Sequence, residues 1–330
     1  MKILMRIIKI IATVAVIILL IAGIKCRISE PISGTFDHVI EPYSELQLGA
    51  SIRHLTIDAA SGNVITVQEN GQLTEIESIS GNELSSQLVD AVPVSLATMR
   101  GKGRGKYAIL QENGMVRLIA STKNRMETTD IYAVGIPFVN SGTFSPNCSR
   151  LAAFTRRYPS DIIIFDIQRK AVISIIKNAN CKSGNFITDS QLVAASLDKG
   201  LIAYNISSNT SKCLASTFDA GFISVVSDQD GRWLVASPDT QSIYLISDSI
   251  NSRVYFNTLR LTSVSDNNTL AIATLSNNHV FTISSVAADL SLVPRFSAIL
   301  ANPTCFAISF KYKICAVANS SGTLRLYRLP

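Results

Sequence analysis

The chain has 330 residues, of which 47 % are hydrophobic and 16 % charged, with a formal net charge of +6. A chain of this length buries a large core, and so little charge excludes an intrinsically disordered protein. Most of the positive charge belongs to the N-terminal segment and one loop, so a broad basic surface is excluded and no specific nucleic-acid partner is expected.

The first predicted element is an apolar run at 10–24, preceded by Lys2, Arg6 and Lys9 and followed by Lys25 and Arg27. Its 15 residues, or 18 from Ile7 with Lys9 snorkelling, lie between a long signal peptide and a short membrane span. The stretch 22–26, Ala-Gly-Ile-Lys-Cys, is a poor cleavage site. The reading is a signal-anchor transmembrane helix over 1–27 and a linker over 28–36, with cleavage to a secreted or periplasmic product as the alternative. The three leading charges tip the positive-inside balance toward a cytoplasmic N-terminus, with the rest of the chain on the non-cytoplasmic side.

From residue 37 onward short apolar segments recur, separated by turn residues. A strand within 38–48 comes first. It is followed by 55–58, 64–67 and 73–76, then 107–110 and 115–118. The pattern continues with 143–154 leading to 162–166, 187–195 to 201–205, 223–237 to 243–246, 264–273 to 280–283, and 306–327. Two-residue turns precede the third strand of each group: Asn70-Gly71, Asn113-Gly114, Lys199-Gly200, Asn277-Asn278 and Ser321-Gly322. Such pairs supply the positive φ that tight hairpins demand. Gly71 and Gly322 are separated by six intervals of about 42 residues, the period of a propeller blade. The expected fold is all-β, a seven-bladed β-propeller over 37–330. Its last group lacks an outer strand, which the 38–48 segment is expected to supply, so that no sheet edge is left open.

Phe144-Ser-Pro, the segment 227–234 (Ser-Asp-Gln-Asp-Gly-Arg-Trp-Leu) and the segment 321–327 (Ser-Gly-Thr-Leu-Arg-Leu-Tyr) resemble the strand and turn consensus of the WD40-repeat family. The resemblance is to a divergent member. Tyr327-Arg328, Phe165-Asp166 and Tyr204-Asn205 stand where the family ends its third strands in Trp-Asp, and its Gly-His pair is absent. The family's structural Asp-His-Ser/Thr-Trp hydrogen-bond set is therefore not expected. The resemblance implies a non-catalytic platform for other proteins. A structural subunit or assembly factor of a membrane complex is the alternative, and a propeller enzyme of hydrolase, lactonase or quinoprotein type a more distant one.

Nothing in the chain has the spacing of a catalytic or metal site. His38, His54 and His279 are far apart, and Cys26, Cys148, Cys181, Cys213, Cys305 and Cys315 include no C-x-x-C. No enzyme activity, cofactor or metal is expected. Asp58, Asp189, Asp228 and Asp266 recur at first-strand ends, as turn-capping aspartates do. Two candidate binding features remain. Arg100, Lys102, Arg104 and Lys106 alternate with glycine in one loop, a candidate contact for anionic lipid or an acidic protein surface. By the WD40 resemblance this loop shares a face with the start of the closing strand and the membrane tether. Arg156, Arg157 and Tyr158 then lie on the opposite face, where propellers receive partners.

Overall fold

The computed structural model describes residues 27–28 and 40–329. Short segments at 59, 91, 99–105, 123–124, 134–138, 157, 216–223, 228–232, 238–241, 247–250, 256–259, 267–268, 276–279, 287–291 and 300–302 are excepted. Two strands lead, β1 (Arg27–Ile28) and β2 (Ser44–Gln47). The first sheet is β3 (Ile52–Ile57), β4 (Val64–Gln68), β5 (Gln72–Ile76) and β6 (Glu83–Leu88). The second is β7 (Pro93–Thr98), β8 (Lys106–Gln111), β9 (Met115–Thr122) and β10 (Arg125–Ala133). The third is β11 (Val139–Phe144), β12 (Arg150–Thr155), β13 (Ile162–Asp166) and β14 (Ala171–Ile176). The fourth is β15 (Cys181–Phe186), β16 (Gln191–Ser196), β17 (Gly200–Asn205) and β18 (Thr210–Ala215). Then come β19 (Ser224–Ser227), β20 (Trp233–Ser237), β21 (Ser242–Ile246) and β22 (Asn251–Tyr255), a sheet that β1 joins as a fifth strand. Next are β23 (Arg260–Asp266), β24 (Thr269–Leu275), β25 (Val280–Val286) and β26 (Leu292–Ile299). The closing sheet holds β27 (Pro303–Ser309), β28 (Ile314–Asn319) and β29 (Thr323–Arg328), with β2 on its outer edge. Apart from the added β1 and β2, each sheet is an antiparallel meander, and the first strands β3, β7, β11, β15, β19, β23 and β27 touch in that order, β27 returning to β3. The fold is a β-propeller.

The second strands show why the chain adopts it. In β12 the sequence Leu151-Ala-Ala-Phe154 is buried throughout, because each sheet is covered on both faces by its neighbours. Strand parity divides the work. Leu151 and Ala153 pack with Leu110 and Val116 of the second sheet, whereas Ala152 and Phe154 pack with Leu192, Ala194 and Tyr204 of the fourth. In β16 the same alternation sends Leu192 and Ala194 toward the third sheet and Val193 and Ala195 toward Val235 of the five-stranded sheet. Each fully buried large side chain contributes about 1.5–3 kcal/mol. Alanine recurs because two sheets must approach closely at these positions. Toward the axis the crowding is greater: a Cβ at Gly184 in β15 would stand 2.5 Å from the Val193 carbonyl oxygen and 2.9 Å from Phe154 Cζ.

Closure rests on β2. Ser44 to Gln47 pair antiparallel with Leu326 to Thr323, Arg325 Nε donates to Glu45 Oε2 at 2.8 Å, and Gln47 Nε2 donates to the Ser321 carbonyl at 2.6 Å. The turn beside it requires glycine. Gly322 has φ +82°, and a Cβ there would meet the Ala50 carbonyl oxygen at 2.6 Å.

The expected fold class is corrected in two respects. The expectation was a seven-bladed propeller behind a transmembrane helix. Six sheets are regular four-stranded blades, and the remaining one has five strands. Arg27, assigned to the anchor, and Ile28, assigned to the linker, form β1, parallel to Val254 and Tyr255 of β22. The physical reason lies in the outer ladders. β6, β10, β14, β18 and β26 each pair with their inner neighbour across a register shift, which twists a free edge, whereas β22 pairs with β21 without one. The straight edge of β22 leaves room for β1 to pair along it. The second correction is that the described residues contain no helix, hence none long and apolar enough to cross a membrane. Residues 1–26, the bulk of the expected anchor, lie outside the described residues.

Candidate interaction face

The loops joining second to third strands, together with those leading into the next sheet, form one face of the ring. Around the third and fourth sheets three of these loops are tied together: 156–161 between β12 and β13, 177–180 between β14 and β15, and 197–199 between β16 and β17. Asn180 is the tie. Its Nδ2 donates to Asp198 Oδ2 at 3.0 Å, and its Oδ1 accepts from the Ser160 backbone N–H at 3.2 Å. Its own backbone N–H donates to the Ser160 carbonyl at 3.0 Å, and its carbonyl accepts from Leu197 N–H at 3.0 Å. Ser196 Oγ lies 2.6 Å from Asp198 Oδ1 and 2.7 Å from the Ala179 carbonyl oxygen. Asp161 Oδ1 accepts from Asn178 N–H at 2.8 Å, and Ser160 Oγ donates to the Cys181 carbonyl at 3.1 Å.

Local sequence explains the geometry. Asn178 and Asn180 have φ of 51° and 52°, a left-handed conformation that asparagine tolerates better than most residues. Ser196, Asn180 and Ser160 are buried, while Asp198 is exposed. The hydrogen bonds from Ser196 and then Asn180 hold the Asp198 carboxyl below its usual range. Burial pushes the neighbouring Cys181 thiol up to about 12, so this sulfur is a packing group and not a nucleophile at neutral pH.

On this tied framework two large apolar side chains face solvent, Tyr158 at 78 % and Leu197 at 52 % exposure. Arg156 is exposed beside them and forms an ion pair at 3.4 Å with Glu112, on the corresponding loop of the second sheet. Tyr158, Leu197 and Arg156 are thus presented by loops hydrogen-bonded to one another. Sequence reasoning singled out Arg156 and Tyr158. It missed Leu197 and the tie beneath, because the search was for the WD40 hydrogen-bond set with its histidine. The signal was present: a serine ending an apolar run, an aspartate two residues on, and two asparagines in the preceding loop.

Other expected residues fall as follows. Arg157 lies outside the described residues, as do Arg100, Lys102 and Arg104; Lys106 is exposed at the start of β8. Asp58 caps its turn, accepting from Ser61 N–H at 3.0 Å and Ser61 Oγ at 2.5 Å. Asp189 instead reaches the third sheet, where Asn147 N–H donates to Oδ1 at 3.0 Å and Arg150 donates to its carbonyl at 2.9 Å. His54, half-buried on β3, has Nε2 3.2 Å from the Pro93 carbonyl oxygen of β7, and its partial burial lowers its pKa. Among the described residues no three His, Cys, Asp or Glu side chains gather where they could hold a metal ion, and Cys181, Cys213 and Cys315 are free thiols.

A second polar cluster lies between the first and second sheets. Glu75 is buried and accepts from Asn63 Nδ2 at 2.7 Å and Ser121 Oγ at 2.5 Å. Tyr107, fully buried beside it, has no hydrogen-bond partner for its hydroxyl among the described residues. Burial, then the Glu75 and Asp58 carboxylates, push its pKa far above the usual phenol range.

No protein-family profile matches the sequence, and no curated protein matches it. Among solved structures, a chain in the crystal structure of the mitotic checkpoint complex superposes with a TM-score of 0.69 at 13 % identity, covering 91 % of this chain and 99 % of that one. At that identity the likeness establishes the propeller fold alone.

Proposed function

We propose that this ring is a non-catalytic, WD40-like platform that binds another protein on the face carrying Tyr158 and Leu197. The observation that carries the reading is the pairing of two exposed large apolar side chains with loops fixed from beneath by Asn180, Ser196 and Asp198. A tyrosine held in place contributes contact area at little entropic cost, and aromatic anchors of this kind dominate protein interfaces. Arg156 adds a charge at the rim of the patch. The related ring of the mitotic checkpoint complex belongs to a protein assembly, which supports the same class of role. The apolar run at 10–24 supports holding the platform at a membrane, with the ring on the non-cytoplasmic side. Arg100, Lys102, Arg104 and Lys106 then offer anionic lipid or an acidic protein a second contact.

The test is quantitative co-purification from detergent extract with the intact chain and with a Tyr158→Ala/Leu197→Ser variant. The reading expects a small set of proteins to be recovered reproducibly with the intact chain and lost, by about tenfold or more, with the variant. Equal recovery by both would remove this face from the account. Protease accessibility of a C-terminal tag in sealed and opened vesicles tests the membrane assignment.

A further inference from the structure

Beyond that face, the outer rim of the third sheet departs from the other outer strands. β14 reads Ala171-Val-Ile-Ser-Ile-Ile176, with no charge and no proline, and Val172, Ile173 and Ile175 are exposed at 43 %, 38 % and 48 %. By contrast β18 (Thr-Ser-Lys-Cys-Leu-Ala) and β2 (Ser-Glu-Leu-Gln) are polar, and β26 contains Pro294 and Arg295. Outer strands normally carry such residues because a bare apolar edge invites pairing with another chain. β14 pairs with β13 on one side and is the terminal strand of its sheet on the other. Its register shift falls at Ile173, between the pairs Val172–Phe165 and Ser174–Ile164, leaving a regular stretch at 174–176. That stretch borders a cleft of about 140 Å³ between the third and fourth sheets, lined by Ser174, Ile176, Tyr204, Ile206 and Thr210.

Charge narrows the choice of occupant. Arg169 and Lys170 stand at one end of β14 and Lys177 at the other, with Lys212 on β18 next to the cleft residue Ser211. Lys170 is engaged by Asp130, and Arg169 lies 4.0 Å from Asp166. Lys177 and Lys212 are exposed and have no ion pair among the described residues. An antiparallel second copy of β14 would set Lys170 and Arg169 against Lys177 of the other copy, like charges across a ladder. The chain's own apolar run at 10–24 is likewise flanked by Lys9, Lys25 and Arg27. Both candidates are repelled. The ring already takes one added strand on an outer edge, β1 on β22, so strand addition is a mode this rim supports.

We infer that the free edge of β14 and the adjoining cleft form a strand-addition site for an extended apolar peptide segment of another protein, one with acidic residues at its ends. The peptide backbone would extend the third sheet along 174–176, one apolar side chain would enter the cleft, and the acidic ends would meet Lys177 and Lys212.

The probe is a fluorescein-labelled synthetic decapeptide with a Val/Ile/Thr centre and two aspartates at each end, compared with the same peptide ended in lysines. Binding is read by anisotropy and by backbone amide exchange at residues 174–176. The expected result is saturable binding of the acidic peptide, at least about tenfold weaker binding of the lysine peptide, and slowed exchange on this edge. Ile175→Lys, at an exposed position that leaves folding intact, should weaken binding about tenfold, and Lys177→Glu should narrow or invert the preference between the two peptides. Absence of binding by either peptide, or equal binding of both, would overturn the inference. So would concentration-dependent dimerisation in sedimentation that Ile175→Lys abolishes, which would assign the edge to self-pairing.

Discussion

Two clusters of the same chemistry, a carboxylate with hydroxyl and asparagine donors, sit at two different sheet interfaces of this ring. Between the first and second sheets Glu75 is buried, takes Asn63 and Ser121, and leaves the Tyr107 hydroxyl without a partner. Between the third and fourth sheets Asp198 is exposed and takes Ser196 and Asn180, and Asn180 ties three loops into one surface. The first cluster centres on a buried carboxylate, with Asn63 and Ser121 half-buried around it. In the second the donors Ser196 and Asn180 are buried but the carboxylate itself is exposed, so water can replace a partner lost by Asp198. Burial, and not residue type, separates the two roles.

The contrast can be broken by mutation, and the effects should descend in order. Glu75→Ala removes the acceptor shared by Asn63 Nδ2 and Ser121 Oγ and should cost about 3 kcal/mol, read as a fall in the urea midpoint at unchanged m-value. Loss of less than about 1 kcal/mol would mean that water reaches the site. Gly184→Ala probes the packing under the exposed face. Its Cβ meets backbone at 2.5 Å as well as Ala194 Cβ at 2.9 Å, and it should cost about 2–3 kcal/mol. Gly142→Ala, at the matching place in β11, meets mainly Leu110 Cδ2 at 2.3 Å, the movable end of a flexible side chain, and should cost clearly less in the same denaturation series.

Ser196→Ala should cost about 1 kcal/mol at neutral pH, since the Asp198 carboxylate loses the Ser196 hydroxyl and regains water in its place. It should also raise the Asp198 pKa toward its ordinary value, measured by carboxyl carbon NMR. In the intact chain the Asp198 pKa is depressed on folding, so its contribution is present above the unfolded value of 3.8 and disappears as pH falls through the folded value. The stability gap between the intact chain and Ser196→Ala should therefore shrink below pH 3.8. Smallest in stability is Tyr158→Ala, within about 0.5 kcal/mol of the intact chain. A larger loss would mean that the ring uses this side chain for its own packing.

The legible parts of the fold were those with local chemistry. Turn glycines such as Gly71 and Gly322 require positive φ whatever surrounds them, and the apolar second strands 151–154 and 192–195 can be stable only between two covering layers. What escaped depends on sequence-distant meetings. Ser160, Asn180 and Leu197 come together only because consecutive sheets stack, and no spacing along the chain announces it. Arg27 and Ile28 are too short a strand to leave a pattern, and their place follows from the straightness of β22. The apolar run 171–176 reads like a buried strand, yet it stands at the rim; exposure is a property of its position in the sheet and not of its residues. Of the candidate binding residues, Arg156 and Tyr158 were singled out by the WD40 resemblance, while Leu197 was hidden in a hydrophobic run.

The central claim is that the face of Tyr158 and Leu197 meets a protein. A photo-crosslinking residue placed at 158, compared with one at the exposed Ile79 on a turn between third and fourth strands, tests it most directly in intact cells. The account predicts discrete protein adducts from 158 and few from 79. Adducts from 79 alone, or none from 158, would contradict it.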